Sequence, residues 1–266
     1  MLYRTDYHIH STFSDGKAHP EEYIAAARSA GIKEMGFSEH LNLFRESQDW
    51  CMPVTVLPEY LDYIKSLARK EKGIEIRTGL EVDFFSGKSA EIYKFLQPIK
   101  LDYVIGSVHY MGESSVDSSR DFYIGKDLDR LYEDYFELLF EAVESGIFDI
   151  IAHADLIRIY GHKPPGNPEP LYRKLARKMK LHEVTLELNT NGRNRPLGDF
   201  YPDRRFLGIF WEEGVSVCVN SDSHLPGRVG QYFDEAYLLL GEAGFTEMSV
   251  FRKRERYNIP ADFSVV

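Results

Sequence analysis

The stretch that decides the fold is "LYRTDYHIHSTFSDGKAHPEEYIAAARSAG", residues 2–31. Residues 2–9 predict a short β-strand, and residues 20–31 predict a helix. Pro20 at the helix start and Gly31 at its end support these bounds, because proline fits the first helical turn and glycine suits the position just past the last. The stretch is therefore one β-then-α unit.

The same unit recurs along the whole chain. Further strands are predicted over 34–40, 74–84, 101–110, 148–153, 183–191 and 215–224. Further helices are predicted over 58–73, 89–99, 127–146, 168–182, 203–214 and 232–244. Seven such units without a linker or a repeat of fixed period predict one α/β domain over 1–266, with a parallel sheet and outer helices. An open sheet and a closed barrel both satisfy this rhythm, and seven units favour a barrel similar to the (β/α)8 type.

The composition excludes several classes of protein. The 266 residues are 43% hydrophobic and 28% charged, and the net charge of −10 comes without a basic run that could track a nucleic-acid backbone. Two cysteines exclude a disulfide framework, and no stretch approaches the ~20 apolar residues of a membrane span. The N-terminus is too polar for a signal peptide, so we expect a cytoplasmic protein without membrane or nucleic-acid partners. The oligomeric state stays open.

Metal-capable side chains accumulate at the carboxyl ends of the predicted strands. Six of the nine histidines lie there: His8, His10, His40, His109, His153 and His224. Three carboxylates accompany them: Asp15, Glu81 and Asp222. Because active sites of α/β barrels assemble at this face, the fold should gather all nine side chains into one cluster. A lone histidine at such a position is usually structural, but six at equivalent positions favour metal binding.

Spacing and residue type indicate which metals. His8 and His10 are two residues apart on a strand and face the same side, as do Asp222 and His224. Histidine and carboxylate ligands without cysteine suit Zn²⁺, Mn²⁺ or Fe. Nine candidate ligands exceed the needs of one ion, so we expect two or three divalent metal ions. Such clusters activate water and clamp phosphoryl oxygens, which needs no nucleophilic serine or cysteine.

Six motifs carry a family resemblance. In this order, "HIHSTFSDG", "SEH", "GLEVDF", "GSVHY", "AHADLIR" and "NSDSH" run from residue 8 to residue 224. The chain thereby resembles the PHP (polymerase and histidinol phosphatase) family, and most of all its stand-alone histidinol-phosphate phosphatases. The resemblance implies a distorted (β/α)7 TIM-like barrel with three metal ions. It also implies hydrolysis of L-histidinol phosphate, a step of histidine biosynthesis, by a hydroxide that bridges the metals.

The resemblance also implies a distribution of the ligands. One metal would be held by His8, His10, Glu81 and Asp222. Glu81 would bridge to a second metal bound by His109 and His153, and a third would be bound by Asp15, His40 and His224. Many family members read Thr-Asp-His where this chain has Ser38-Glu39-His40. We therefore expect the third site to keep its histidine and to have altered surroundings.

A phosphate ester needs cations besides the metals. Arg158 and Arg195 lie in loops on the predicted catalytic face, where a guanidinium can grip phosphate oxygens with two donors. We predict that both bind substrate and stabilise the phosphoryl group. Asp155 is a candidate for protonating the leaving group or orienting a ligand, and His162 is a candidate substrate contact. Asp83, which should face the same way as Glu81, is a candidate partner of a metal ligand.

The leading hypothesis is a metal-dependent histidinol-phosphate phosphatase. The alternative within the family is a phosphoesterase for nucleotides, oligonucleotides or another small phosphate ester. An accessory module of DNA synthesis would have a basic groove for the nucleic acid. A non-enzymatic metal protein would fill every coordination position of its metals with protein ligands and would have no phosphate-binding arginines. The loops 44–58, with Trp50, and 111–126 are candidates for covering or shaping the substrate pocket.

Overall fold

The computed structural model describes residues 2–45, 49–163 and 166–263. Its strands in chain order are β1 (Thr5–Asp6), β2 (Glu34–Leu41), β3 (Glu75–Asp83), β4 (Tyr103–Ser107), β5 (Tyr110–Met111), β6 (Ser114–Ser115), β7 (Ile150–Ile151), β8 (Thr185–Asn189), β9 (Val217–Asn220), β10 (Glu247–Arg252) and β11 (Glu255–Pro260). Its helices are α1 (Pro20–Ser29), α2 (Leu57–Lys70), α3 (Ser89–Leu96), α4 (Leu128–Glu144), α5 (Glu169–Leu181), α6 (Leu207–Glu212) and α7 (Phe233–Ala243).

Seven parallel strands form one sheet that curls into a barrel. The strand order is β1-β2-β3-β4-β7-β8-β9, and consecutive members pair in parallel. The barrel closes where the segments after β1 and β9 meet at a parallel bridge between Ile9 and Ser223. There the Ser223 amide donates to the His8 carbonyl at 3.0 Å, and the His10 amide donates to the Ser223 carbonyl at 2.9 Å. The predicted distorted (β/α)7 barrel is therefore confirmed.

The strands are shorter than the sequence pattern predicts. The regions 2–9, 148–153 and 215–224 contribute only the two to four paired residues of β1, β7 and β9. In the last two of these regions the backbone leaves the extended conformation after the paired residues, with positive φ angles of 25° at His153 and 48° at Asp222. The helix predicted over 203–214 is likewise a short 3₁₀ turn followed by α6.

A strand hairpin that the β-then-α rhythm did not predict follows α7. It consists of β10 and β11, which pair antiparallel with each other. Phe251 on β10 is buried against the rings of Tyr7 and Tyr103, at centroid distances of 5.4 and 6.1 Å. The Lys253 amide donates to the Asp102 carboxylate just before β4. The hairpin thus closes the amino-terminal end of the barrel with an aromatic side chain.

The outer helices cover the sheet with amphipathic faces. Helix α4 begins at the Asp127 cap, whose carboxylate accepts hydrogen bonds from the amides of Asp129 and Arg130. Its aromatic residues Tyr135 and Phe136 are fully buried, as the helical spacing of apolar residues predicts. Among the described residues, no helix combines the length and apolar character that crossing a bilayer requires.

The barrel interior is split into two layers. The layer near the hairpin is largely apolar and is formed by Tyr7, Tyr103, Ile105, Ile150, Ala152, Cys218 and Phe251. Tyr103 lies across this layer, and its hydroxyl donates to the carbonyls of Tyr7 at 2.6 Å and Phe37 at 3.1 Å. The ring fits because Gly36 and Gly79 on the neighbouring strands have no side chains. The opposite layer, at the carboxyl ends of the strands, is polar.

Replacing Gly79 by alanine should destabilise the barrel. A Cβ at this position would lie 2.3 Å from the Tyr103 ring, which is held by its neighbours and cannot move away. We expect a loss of about 1–3 kcal/mol in the free energy of unfolding, measured by denaturant titration. Gly208→Ala is the control, since a Cβ there meets no atom within 4 Å. Equal stability of the two variants would contradict the packing role of Gly79.

Candidate metal centre

The nine side chains predicted as metal ligands meet at the mouth of the barrel. Seven of them are buried, and Asp15 and His224 are partly exposed at the rim. Each comes from a strand end or from the loop after it, so the parallel topology brings together residues as distant in sequence as His8 and His224. The structure leaves none of the nine outside the cluster, although their role as ligands remains a prediction.

Glu81, on β3, occupies the centre of the cluster and is 1% exposed. Five imidazoles point a nitrogen at its carboxylate: His40 Nδ1 at 2.7 Å, His8 Nε2 at 3.1 Å and His10 Nε2 at 3.5 Å from Oε2, with His153 Nε2 at 3.1 Å and His109 Nε2 at 3.7 Å from Oε1. The two carboxylate oxygens therefore face different groups of histidines. This is the arrangement expected of a carboxylate that bridges two ions.

Two further carboxylates complete the cluster on the side of the closure. Asp222 Oδ1 lies 3.5 Å from His10 Nε2 and 3.8 Å from His8 Nε2. Asp15 Oδ1 lies 3.2 Å from His224 Nε2 and 3.6 Å from His40 Nε2. Asp15 and Asp222 thus draw histidines from the first, second and last strands towards common points.

The donor atoms fit divalent metal ions. Buried atoms without a hydrogen-bond partner in the described structure include His8 Nε2, both ring nitrogens of His10, Asp15 Oδ1 and Glu81 Oε2. Unpaired buried polar atoms are costly, and here they converge on shared spaces. Three groups have donor atoms within 4.8 Å of one another: His10, Asp15, His40 and His224; His8, Glu81 and His153; and His8, His10 and Asp222. His109 joins no group but faces Glu81.

Outside this cluster, two more carboxylates contact the Nδ1 atoms of histidines whose Nε2 atoms face the cluster. Asp83 Oδ1 lies 2.7 Å from His109 Nδ1, and Asn42 Nδ2 donates to its other oxygen at 2.8 Å. Glu187 Oε1 lies 2.7 Å from His8 Nδ1. Carboxylates in this position fix the ring orientation of metal-binding histidines. The sequence pointed to Asp83, but Glu187 was missed, although a charged residue inside the apolar strand "EVTLELNTN" was a usable signal.

Glu39, in the altered Ser38-Glu39-His40 motif, faces away from the histidines. Its carboxylate accepts hydrogen bonds from the Ser11 amide at 3.1 Å, the Ser11 hydroxyl at 2.6 Å and the Ser14 hydroxyl. These serines belong to the turn that carries Asp15. Glu39 therefore ties β2 to the loop that places Asp15 beside His40.

The crowded charges shift the pKa values of the cluster. Burial alone would raise the pKa of Glu81, but the His40 and His8 imidazoles hold it well below its usual range. Burial lowers the pKa of His109, yet the Asp83 carboxylate outweighs it and raises that pKa to about 10. His10 faces mainly other histidines, and burial together with His40 and His224 lowers its pKa to about 3.

Arg158 and Asp155 form a buried ion pair beside the cluster. Arg158 Nη1 donates to Asp155 Oδ2 at 2.8 Å, while Nη2 lies 3.6 Å from Asp203 Oδ2. Asp155 Oδ2 also accepts hydrogen bonds from the Tyr172 hydroxyl at 2.5 Å and the Asp203 amide at 2.8 Å. The structure thus places Asp155 where it orients Arg158, while its role as a proton donor stays a prediction.

The remaining predicted substrate contacts occupy more open positions. Arg195 is exposed and makes no ion pair within 4.0 Å in the ranges that the structure describes. Its charge is close enough to oppose the rise that burial causes in the pKa of Tyr201, whose ring lies 6.2 Å from that of His153. His162 packs on the Tyr123 ring at a centroid distance of 4.4 Å, and burial lowers its pKa.

A pocket of about 650 Å³ adjoins the cluster. Trp50 lies between the pocket and the histidine cluster, since it lines the pocket and its ring centroid is 4.8 Å from that of His40 and 5.5 Å from that of His109. The other lining residues include Arg45, Tyr110, Ser115, Asp117 and Asp121. Both loops predicted to shape a pocket contribute, although residues 46–48 of the first loop lie outside the described residues.

A seven-stranded α/β barrel whose mouth holds a buried cluster of histidines and carboxylates defines a metal-binding barrel protein of the hydrolase type. The family model described as PHP domain matches residues 6–191. A probable histidinol-phosphatase of Deinococcus radiodurans is 34% identical over 256 residues, which cover 94% of this chain and 97% of that relative. The chain belongs to the PHP family.

Solved structures agree with this assignment. The histidinol phosphate phosphatase of Lactococcus lactis, crystallised with zinc, L-histidinol and phosphate, is 26% identical with a TM-score of 0.85, covering 97% of this chain and 100% of that one. A putative histidinol phosphatase of Listeria monocytogenes is 21% identical with a TM-score of 0.78, covering 87% and 99%, and shows the same fold.

Zinc binding should release protons from the metal-free protein. At pH 8 His109, with a pKa of about 10, carries a proton on Nε2 that an ion must displace. We expect His109 to contribute about one proton per fully loaded chain, measured by a pH-indicator dye during zinc titration. Asp83→Asn should release fewer, since the pKa of His109 then falls. No release from the wild type would contradict the raised pKa.

The same shift gives the metal-free protein a pH-dependent stability. Because the folded pKa of His109 exceeds the usual value of 6.5, its contribution is complete below pH 6.5 and is lost as the pH rises through about 10. The melting temperatures of the metal-free wild type and of Asp83→Asn should therefore differ near pH 6.5 and converge as the pH approaches 10.

Proposed function

We propose that this protein is a metal-dependent phosphatase that hydrolyses L-histidinol phosphate to L-histidinol and phosphate. The observation that carries the proposal is the buried histidine and carboxylate cluster beside a polar pocket. Support comes from the likeness, along 97% of the chain, to a phosphatase that holds zinc, L-histidinol and phosphate. We further propose that residues 1–266 form one domain acting in the cytoplasm on a small phosphorylated substrate.

We propose two or three divalent ions, with zinc the first candidate and manganese or iron as alternatives. Five carboxylates contact the histidines: Asp15, Glu81, Asp83, Glu187 and Asp222. Two or three divalent ions would leave this set within one unit of neutrality if all five are ionised. When bound, such ions lower the pKa of water and neutralise phosphoryl charge.

Arg158 and Arg195 would hold the phosphoryl oxygens. Arg158 is well suited because Asp155 fixes one side of its guanidinium, leaving Nη2 without a short hydrogen bond among the described residues. Burial does not discharge it, because the neighbouring Asp155 keeps its pKa above the usual value. Arg195, which is exposed, would approach from the solvent side.

The alcohol part of the substrate would occupy the pocket next to Trp50. Histidinol carries an ammonium group and an imidazole, so its pocket should combine aromatic surface with negative charge. Trp50 and Tyr110 supply the aromatic surface, and Asp117 and Asp121 supply carboxylates. A neutral or anionic leaving group would gain less from these residues.

Phosphate release with metal-reconstituted protein tests the substrate. We expect kcat/KM of at least about 10⁴ M⁻¹s⁻¹ for L-histidinol phosphate, well above the values for nucleotide monoesters and a phosphodiester. A preference for a nucleotide or the diester would overturn the substrate while leaving the metal chemistry in place.

Replacing Arg195 by alanine should reduce kcat/KM about 100-fold, because a donor to the phosphoryl group is lost. Arg193→Ala is a matched control two residues away, since Arg193 is already paired with Glu235 and the Gly198 carbonyl. We expect the control to stay within about threefold of the wild type, as is typical of a surface ion pair. Equal losses in both variants would contradict phosphate binding by Arg195.

A further inference from the structure

We infer that Glu187 is a positioning residue that orients two candidate metal ligands, His8 and His153, at the same time. This inference rests on the metal-dependent function proposed above. Glu187 is fully buried on β8, where its side chain points into the barrel together with those of Thr185 and Asn189. Besides Glu81 at the centre of the cluster, it is the one barrel carboxylate in the described part of the chain that contacts both of these histidines.

Both oxygens of the Glu187 carboxylate are engaged. Oε1 lies 2.7 Å from His8 Nδ1 and accepts from Asn220 Nδ2 at 2.9 Å. Oε2 accepts from the His153 backbone amide at 2.8 Å and from Asn189 Nδ2 at 2.9 Å. The carboxylate is therefore surrounded by donors and acts through the histidines rather than as a metal ligand.

The contact with His8 determines which ring nitrogen can bind a metal. A carboxylate at 2.7 Å from Nδ1 keeps the proton on that nitrogen. Nε2 is then the nitrogen that faces Glu81 Oε2, at 3.1 Å, and it has no hydrogen-bond partner of its own. Glu187 thus directs the His8 ring towards the centre of the cluster.

The contact with His153 acts on the backbone. His153 has a φ of 25°, a backbone conformation that residues other than glycine rarely adopt. Its amide is held by Glu187 Oε2, and its Nε2 lies 3.1 Å from Glu81 Oε1. Loss of the carboxylate would allow this residue to relax and would move its ring away from Glu81.

An amide cannot replace the carboxylate. Glu187 faces donors on both oxygens, so a glutamine would turn its NH₂ group towards either His8 Nδ1 or the His153 amide. One of the two histidines would lose its support in either orientation. We therefore expect Glu187→Gln to weaken metal binding by about 10- to 100-fold, the range seen when the partner of a metal ligand is removed.

The experiment measures metals rather than turnover. Zinc affinity by chelator competition and the visible absorption of the cobalt-substituted protein are compared for the wild type, Glu187→Gln and Glu34→Gln. Glu34 is a matched buried carboxylate at the opposite end of the barrel, where Tyr7 and Arg77 donate to it. Glu34→Gln should lower thermal stability but keep the zinc affinity and the cobalt spectrum of the wild type.

Zinc affinity of Glu187→Gln within twofold of the wild type, with an unchanged cobalt spectrum, would overturn the inference. If this variant does not fold, Glu187→Asp takes its place. Its shorter carboxylate cannot reach both histidines, so reduced zinc affinity is again expected, and wild-type affinity would overturn the inference. Failure of the wild type to hydrolyse L-histidinol phosphate would instead overturn the substrate assignment, because the metal measurements do not involve the substrate.

Discussion

The buried carboxylate of Glu81 imposes the main physical constraint on this barrel. A negative charge removed from water is costly unless positive charge or hydrogen-bond donors surround it. Five imidazoles from four segments of the barrel mouth surround this carboxylate. In the metal-free protein three of these imidazoles compensate by holding protons, as the raised pKa values of His8, His40 and His109 indicate. Metal ions would supply the same positive charge without protonating the ligands.

The polar layer can exist because the rest of the interior is closed off. Tyr7, Tyr103 and Phe251 fill the opposite end of the barrel, and the β10–β11 hairpin covers it. Water and substrate therefore have access from the mouth, where the helix-to-strand loops are absent and the strand-to-helix loops meet. This division places stability and chemistry at different ends of the same strands.

The sequence revealed the rhythm of strands and helices and the nine clustered side chains, because both depend on local pattern and on parallel topology. It could not reveal contacts that depend on register and on tertiary packing. In the sequence, Glu187 is a single charged residue in an apolar strand. Its contact with His8 depends on the position of β8 beside β9 in the folded barrel. The hairpin over 247–260 breaks the β-then-α rhythm, and its place under the barrel follows from Phe251 packing on Tyr7 and Tyr103. The buried pairing of Arg158 with Asp155 likewise needed the fold, since sequence places both simply in one loop.

The closure between Ile9 and Ser223 has a consequence for how the protein matures in the cell. His8 and His10 are made more than 200 residues before Asp222 and His224, and only the closing bridge brings the two pairs together. Until Asp222 and His224 have been made, a nascent chain presents histidines without a complete set of predicted ligands. The predicted metal site is therefore assembled only when the barrel closes, so that folding of the whole barrel has to precede binding by the full set of ligands.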